Sequence, residues 1–182
     1  MTHHLLGMAT ATPPHAIHQH DSAELAFALL PSPKPDPRSL AALYRTTRIP
    51  SRGSVLLEQA DEAGSQQRFF LPATAADDRG PTTQARMARY EAEAPLLAGG
   101  VAAAALEQAG IPAADVGHLV TCSCTGFSNP GIDLALMQQL KLPARVSRTH
   151  VGFMGCHGGF NALRVASGLA SADPHAVVLS VA

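Results

Sequence analysis

No position of this 182-residue chain is tryptophan, and aromatic residues make up only 4%. Charge is scarce as well: charged residues are 15% and nearly cancel, leaving a formal net charge of −1. That balance gives no electrostatic footprint for nucleic acid or for an anionic membrane surface. Cysteine is limited to Cys122, Cys124 and Cys156. An odd count without a secretory signal argues against a disulfide framework and makes reduced, cytoplasmic thiols the expectation. The stretch from Met1 to Ala11 does not read as a signal peptide. His3 and His4 stand where a basic segment belongs, and the apolar run is short and broken by Gly7. No stretch approaches the ~20 apolar residues of a membrane span.

Apolar material, by contrast, is plentiful. Hydrophobic residues make up 46%, enough for one soluble, alanine-rich domain with a substantial core. Leu5 to Ala11 reads as a first strand, ended by Pro13-Pro14. Asp21 or Ser22 can cap a helix through Leu30. Pro31, Pro33, Pro35 and Pro37 then forbid regular structure, and a second helix is expected from Arg38 to about Arg45. Ile49 to Gly80 mixes Gly, Pro, Asp and Gln and reads as loop with at most short elements. Thr82 to Gly110 is the longest helical pattern, with Ala85, Ala88, Ala92 and Leu96 at helical spacing. Pro95 should kink or split it, and Gly110 is a good stop.

Beyond Gly110 the rhythm changes. Val116–Cys122, Val146–Phe153 and Val177–Ala182 read as buried strands. Pro130–Leu140 and Cys156–Ser171 read as the helices between them. Alternation of that kind implies βαβ units on a largely parallel sheet with both faces covered. The run from Val177 to Ala182 belongs in a sheet centre, and its position at the end suggests a truncated reading frame; a natural C-terminal strand is the alternative.

The segment from Gly152 to Leu163, Gly-Phe-Met-Gly-Cys-His-Gly-Gly-Phe-Asn-Ala-Leu, carries the chemistry. An apolar strand runs into glycine, then Cys156, then a glycine-rich helix start. A thiol there meets unpaired N–H groups and the positive end of the helix dipole, which favour the nucleophilic thiolate. Gly158 and Gly159 allow close approach of substrate or backbone. Free cysteine is also commonly a buried small hydrophobe, and spacing alone does not separate the two readings.

The stretch Thr121–Ala182 resembles type III polyketide synthases, the chalcone and stilbene synthase family. Cys124-Thr125-Gly126-Phe127 followed by Asn129-Pro130-Gly131-Ile132-Asp133 is similar to the family's Ser/Thr-Gly…Pro-Gly-x-Asp segment. Arg148 to Cys156 is similar to its Arg-x6-Gly-Cys approach to the nucleophile, and Val177–Ala182 to the strand that follows. Leu6 to Pro14 is a weaker match to the opening strand. The resemblance implies an α/β, thiolase-like fold, of which residues 1–182 are the N-terminal half: a mostly parallel mixed sheet with helices on both faces. It implies a homodimeric acyltransferase with a Cys-His-Asn set, acting on coenzyme A thioesters by decarboxylative condensation of malonyl-CoA, with no metal, flavin or nicotinamide.

Under that resemblance Cys156 is the nucleophile. Cys124 maps to a pocket-lining position, Thr125 is its neighbour, and Asn129 maps near the dimer contact. Arg45, Arg48 and Arg52 fall where the family has basic residues for coenzyme A phosphates; Arg48 and Arg52 are carried as candidates, a solvated basic face being the alternative. The histidine and asparagine belong to the second half, and none of the nine histidines here sits in the matching context. His150 and His157 are expected to be structural or partly exposed, and Cys122 a buried strand residue. Cys122-x-Cys124 lacks the spacing of a zinc pair. Rival readings are another thiolase-superfamily condensing enzyme, such as a β-ketoacyl synthase III, a non-catalytic truncated or split half, and an unrelated thiol protein.

Overall fold

The computed structural model describes residues 3–61 and 64–182. The chain divides into two compact units, one of residues 12–86 and one of residues 1–11 with 87–182.

In the first unit, β1 (Ala16–His18) leads directly into α1 (Gln19–Leu29). The helix begins before Asp21 and Ser22. His18 is its extended cap without a side-chain bond, so neither Asp21 nor Ser22 caps it. The Gln19 N–H is instead satisfied by Pro50 O at 2.9 Å, and Asp21 sits inside the first turn, where a carboxylate suits the dipole. The proline run is irregular until Pro37, which opens α2 (Pro37–Thr46) with Asp36 accepting from Arg38 N at 3.0 Å. β2 (Ser51–Gly53) pairs antiparallel with β1, and β3 (Gln59–Asp61) with β4 (Gly64–Gln66). These short elements are what the mixed composition of 49–80 allows.

α3 (Thr83–Ala109) runs as one 27-residue helix through Pro95. The expected split does not occur: Ala98, Ala102 and Leu106 pack on the core beyond the proline, and that burial outweighs one missing N–H. The helix ends in a Schellman turn. Gly110 has φ +64, its N–H donates to Glu107 O, and Ile111 N donates to Leu106 O.

The second unit is built on a parallel sheet in the order β6-β5-β7. β5 (His118–Ser123) is central, flanked by β6 (Ser147–Gly152) and β7 (Val178–Val181). α4 (Ile132–Gln139) and α5 (Gly158–Ala172) are the crossovers. Leu119 on β5 is fully buried with Leu136 of α4, Ala102 of α3, Val116, Leu142, Val146 and Leu179. Each such large side chain contributes about 2 kcal/mol of burial. Cys122, three residues along β5 from Leu119, faces the other side of the sheet and meets the start of α5. Helices therefore cover both faces.

Residues 5–11 form no strand. Among the described residues β7 pairs only with β5, so its outer edge is open, but residues 5–11 do not pair with it. The segment is held by α3 instead: Met8 N donates to Gln108 Oε1 at 2.6 Å. A Cβ on Gly7 would fall 2.7 Å from Ala105 O, so only glycine fits there.

Candidate active site

β5 and β6 are adjacent parallel strands, and both end at the same edge of the sheet, where open α/β folds place ligands. β6 ends at Gly152, and the next residues reverse the chain sharply. Phe153 has φ +59 and Gly155 φ +60. Phe153 N donates to Ser123 O at 3.2 Å, tying the turn to the end of β5. Gly155–His157 form a single 3-10 turn, closed by Gly158 N donating to Gly155 O, and α5 starts only at Gly158. Cys156 therefore sits in the turn before the α-helix and not in its first residue, because the left-handed Gly155 must redirect the chain first. Its thiol is exposed, and no described residue hydrogen-bonds it.

The loop after β5 is the second wall. Cys124 and Thr125 are exposed, with Cys124 Sγ 3.9 Å from Thr125 Oγ1. Gly126 is buried under the Tyr90 ring, which leaves no room for a Cβ. The Phe127 ring lies 5.9 Å from that of Phe153, so the Cys124–Phe127 loop and the Cys156 turn meet through two aromatic side chains. Asn129 is exposed and joined to Pro130 by a cis peptide. Asp133 Oδ2 accepts from Arg148 Nη1 at 2.7 Å, linking the start of α4 to β6. Tyr90, Phe127 and Phe153 were not singled out from sequence as site residues; Phe127 and Phe153 each follow a glycine in a turn, whereas Tyr90 lies inside α3, where no local signal marks it.

The neighbouring histidines are engaged elsewhere. His150 Nδ1 is 2.8 Å from Thr121 Oγ1, its partner across the β5–β6 ladder. His157 presents its ring to Phe160 at 6.3 Å, edge to face. Cys122 is half-buried, and burial pushes its thiol pKa up, with the nearby Cys124 adding to the effect.

Arg48 and Arg52 lie in the unit of residues 12–86. Arg48 is exposed just past α2, with φ +54. Arg52 is half-buried: its guanidinium lies 5.1 Å over the Tyr44 ring and donates to Gln19 Oε1. Arg45 is exposed in the last turn of α2. Among the described residues the one group with metal-ligand spacing is the exposed His20, Asp21 and Glu24 on α1. A groove of about 920 Å³ runs between residues 3–11, α3, α5 and β7; it reaches Cys122, and Cys156 does not line it.

A parallel sheet with helices on both faces, with Cys156 on a strand-to-helix turn, is a thiolase-like half-fold. This chain belongs to the chalcone and stilbene synthase family: residues 2–182 match the family's N-terminal domain. It is 34% identical over 172 residues to the alpha-pyrone synthesis polyketide synthase-like Pks18 of Mycobacterium tuberculosis, covering 92% of this chain and 40% of that protein. The crystal structure of PKS-I from the brown alga Ectocarpus siliculosus superposes with a TM-score of 0.73 at 28% identity, over 93% of this chain and 44% of that one. CsyB complexed with CoA-SH superposes with a TM-score of 0.71 at 26% identity, over 92% and 41%. The chain thus spans about two fifths of the length of these relatives. Among the described residues no helix is long and apolar enough to cross a membrane.

Proposed function

We propose that this chain is the nucleophile-bearing half of a type III polyketide synthase, and that Cys156 carries the growing acyl group. The observation that carries the reading is the exposed Cys156 thiol on the turn between the end of β6 and α5. In the proposed reaction the Cys156 thiolate attacks the carbonyl of a starter acyl-CoA, and coenzyme A leaves as its thiolate. Malonyl-CoA loses carbon dioxide, and the resulting carbanion attacks the Cys156 thioester. The new carbon–carbon bond forms as the C–S bond breaks, returning the thiolate and leaving a chain two carbons longer on coenzyme A. Both steps pass through oxyanions or enolates, which need preorganised donors; the family resemblance assigns these to a histidine and an asparagine not matched in these 182 residues. The thioester itself supplies the activation, so the reaction is proposed to run without metal, flavin or nicotinamide.

Cys124, Thr125 and Asn129 are proposed to line the acyl pocket; the loop that holds them meets the Cys156 turn through Phe127 and Phe153. Arg48 and Arg52 are proposed to hold coenzyme A phosphates. Arg52 is held by Gln19 and Tyr44, while Arg48 is exposed at the surface. A homodimer is supported by the exposed apolar side chains around the turn: Phe127, Phe153, Met154, Phe160 and Leu163. A cytoplasmic setting suits three free thiols.

Incubation with a long-chain or aromatic acyl-CoA, followed by peptide mass mapping, tests the reading. An acyl adduct on the Cys156 peptide that disappears in Cys156→Ala is the expected result. An adduct that stays on Cys122 or Cys124 in that variant overturns it.

A further inference from the structure

Beneath the Cys156 turn, β5 and α5 touch at a single tight point. Gly158, the first residue of α5, is buried. A Cβ placed on it falls 2.7 Å from Cys122 Sγ, closer than real Cβ atoms come to any neighbour. Apart from its chain neighbours and its own helix backbone, the next atom is Met154 Cβ at 3.8 Å, an ordinary contact, and nothing else lies within 4 Å. The sulfur alone fills the space a Cβ would need. Cys122 cannot readily retreat, because it sits on the central strand and pairs with Val151 of β6. The 3-10 turn that carries Cys156 is covalently continuous with Gly158 and closed onto it by the Gly158 N–H.

We propose that Cys122 is a positioning residue: its thiol is the seat for the first turn of α5, and the Cys122–Gly158 contact sets where the Cys156 turn stands. This rests on the reading of Cys156 as the nucleophile. Cys122 takes no part in the chemistry. Its sulfur is wide enough to stop the helix start from sinking toward the sheet, and the missing side chain at Gly158 lets the helix come down to it. Neither residue's role was visible from sequence, where Gly158 read as room for substrate or a neighbouring backbone.

Gly155 supplies an internal control. It immediately precedes Cys156, on the other flank from Gly158, with φ +60 and open space around its Cβ position. Alanine at Gly155 is a backbone problem; alanine at Gly158 is a collision with one named atom. Only the second is relieved by shrinking Cys122.

The experiment is the rate of iodoacetamide labelling of Cys156 across pH in the 182-residue chain, read by peptide mapping. The variants are Gly158→Ala, Cys122→Ala, the double variant, Gly155→Ala, and Gly155→Ala with Cys122→Ala. Displacing the turn in Gly158→Ala is expected to change the rate of Cys156 labelling about tenfold at each pH. The double variant is expected to return to within about twofold of Cys122→Ala, since RT ln 2 is small against a tenfold effect. Gly155→Ala is expected to gain nothing from Cys122→Ala. Wild-type labelling in Gly158→Ala, a double variant no better than Gly158→Ala, or equal rescue of Gly155→Ala each overturns the proposal. If Gly158→Ala does not fold, the double variant should regain the wild-type circular dichroism spectrum, and its failure to do so also overturns it. No acyl-CoA enters this experiment, so its outcome is separable from that of the acylation test.

Discussion

Asp133 and Arg148 meet at 2.7 Å, joining the first turn of α4 to the beginning of β6. Both residues belong to segments that resemble the family, one following Pro130-Gly131 and the other opening the approach to Gly155-Cys156. The pair ties the helix that follows the Cys124–Gly131 loop to the strand that leads to the Cys156 turn. Asp133 is mostly buried and Arg148 half-exposed, so solvent screens the pair only in part. A double-mutant cycle with Asp133→Asn and Arg148→Ala, followed by denaturant unfolding, should give a coupling energy of about 1 kcal/mol that shrinks with added salt. Coupling indistinguishable from zero at low salt would mean that the pair is decorative.

Gly155 needs its left-handed backbone and nothing else. No atom lies within 4 Å of its Cβ position, so Gly155→Ala tests conformational strain without collision. The expected loss is about 1–2 kcal/mol of stability. Phe153 already bears the same conformation with a full side chain. Its ring is 71% exposed, so apart from its contact with Phe127 it buries little to offset that strain. Phe153→Gly is therefore expected to be neutral or stabilising in unfolding, while loosening the Cys124–Phe127 loop. A strong destabilisation by Phe153→Gly would show that the aromatic contact outweighs the backbone.

Much of the unit of residues 87–182 was legible in the sequence, because its helices and strands differ in period and its turns carry glycine. The three parallel strands fall within about two residues of their expected limits, as does the end of α3 at Gly110. What was not legible depends on tertiary contact. Leu5–Ala11 has the composition of a strand, but α3 binds this segment through Gln108. Pro95 signals a break, yet the packed alanines beyond it keep the helix whole. At the site, Cys156 stood out by its glycine neighbours. Its exact seat one turn before the helix did not, since a 3-10 turn and a helix start share the same residues. Tyr90 over Gly126 and Cys122 against Gly158 are contacts between distant positions that no local pattern encodes.

Cys122 gives the unit a pH dependence of definite sign. Burial, with the nearby Cys124 in second place, raises its thiol pKa in the folded chain. The folded state thus holds the proton more tightly than the unfolded state. The contribution to stability is fully present below the ordinary thiol value of about 8.5 and is lost as pH rises through the folded value. Unfolding midpoints should therefore fall as pH rises above about 8.5, and Cys122→Ala should flatten that slope relative to wild type. An unchanged slope in the variant would assign the alkaline loss to other groups.

The 182 residues alone are expected to acylate but not to extend. Acylation of Cys156 needs chiefly a thiolate and an exposed sulfur, and the sulfur is exposed. Decarboxylation and carbon–carbon bond formation need a base or donor set around the thioester; His150 is hydrogen-bonded to Thr121, and no histidine here sits in the family's catalytic context. A catalytic set acts as a unit, so loss of its members reduces rate by orders of magnitude. With an acyl-CoA starter and labelled malonyl-CoA, the expected products are an acyl-Cys156 adduct and no labelled pyrone or resorcinol. Addition in trans of the second half from a full-length relative should raise extension above background if the two halves assemble. Labelled extension product from the 182 residues alone would sink the expectation and transfer the base role to His150 or His157. The variants His150→Gln and His157→Gln would then say which, since only the histidine in use would abolish turnover while leaving acylation intact.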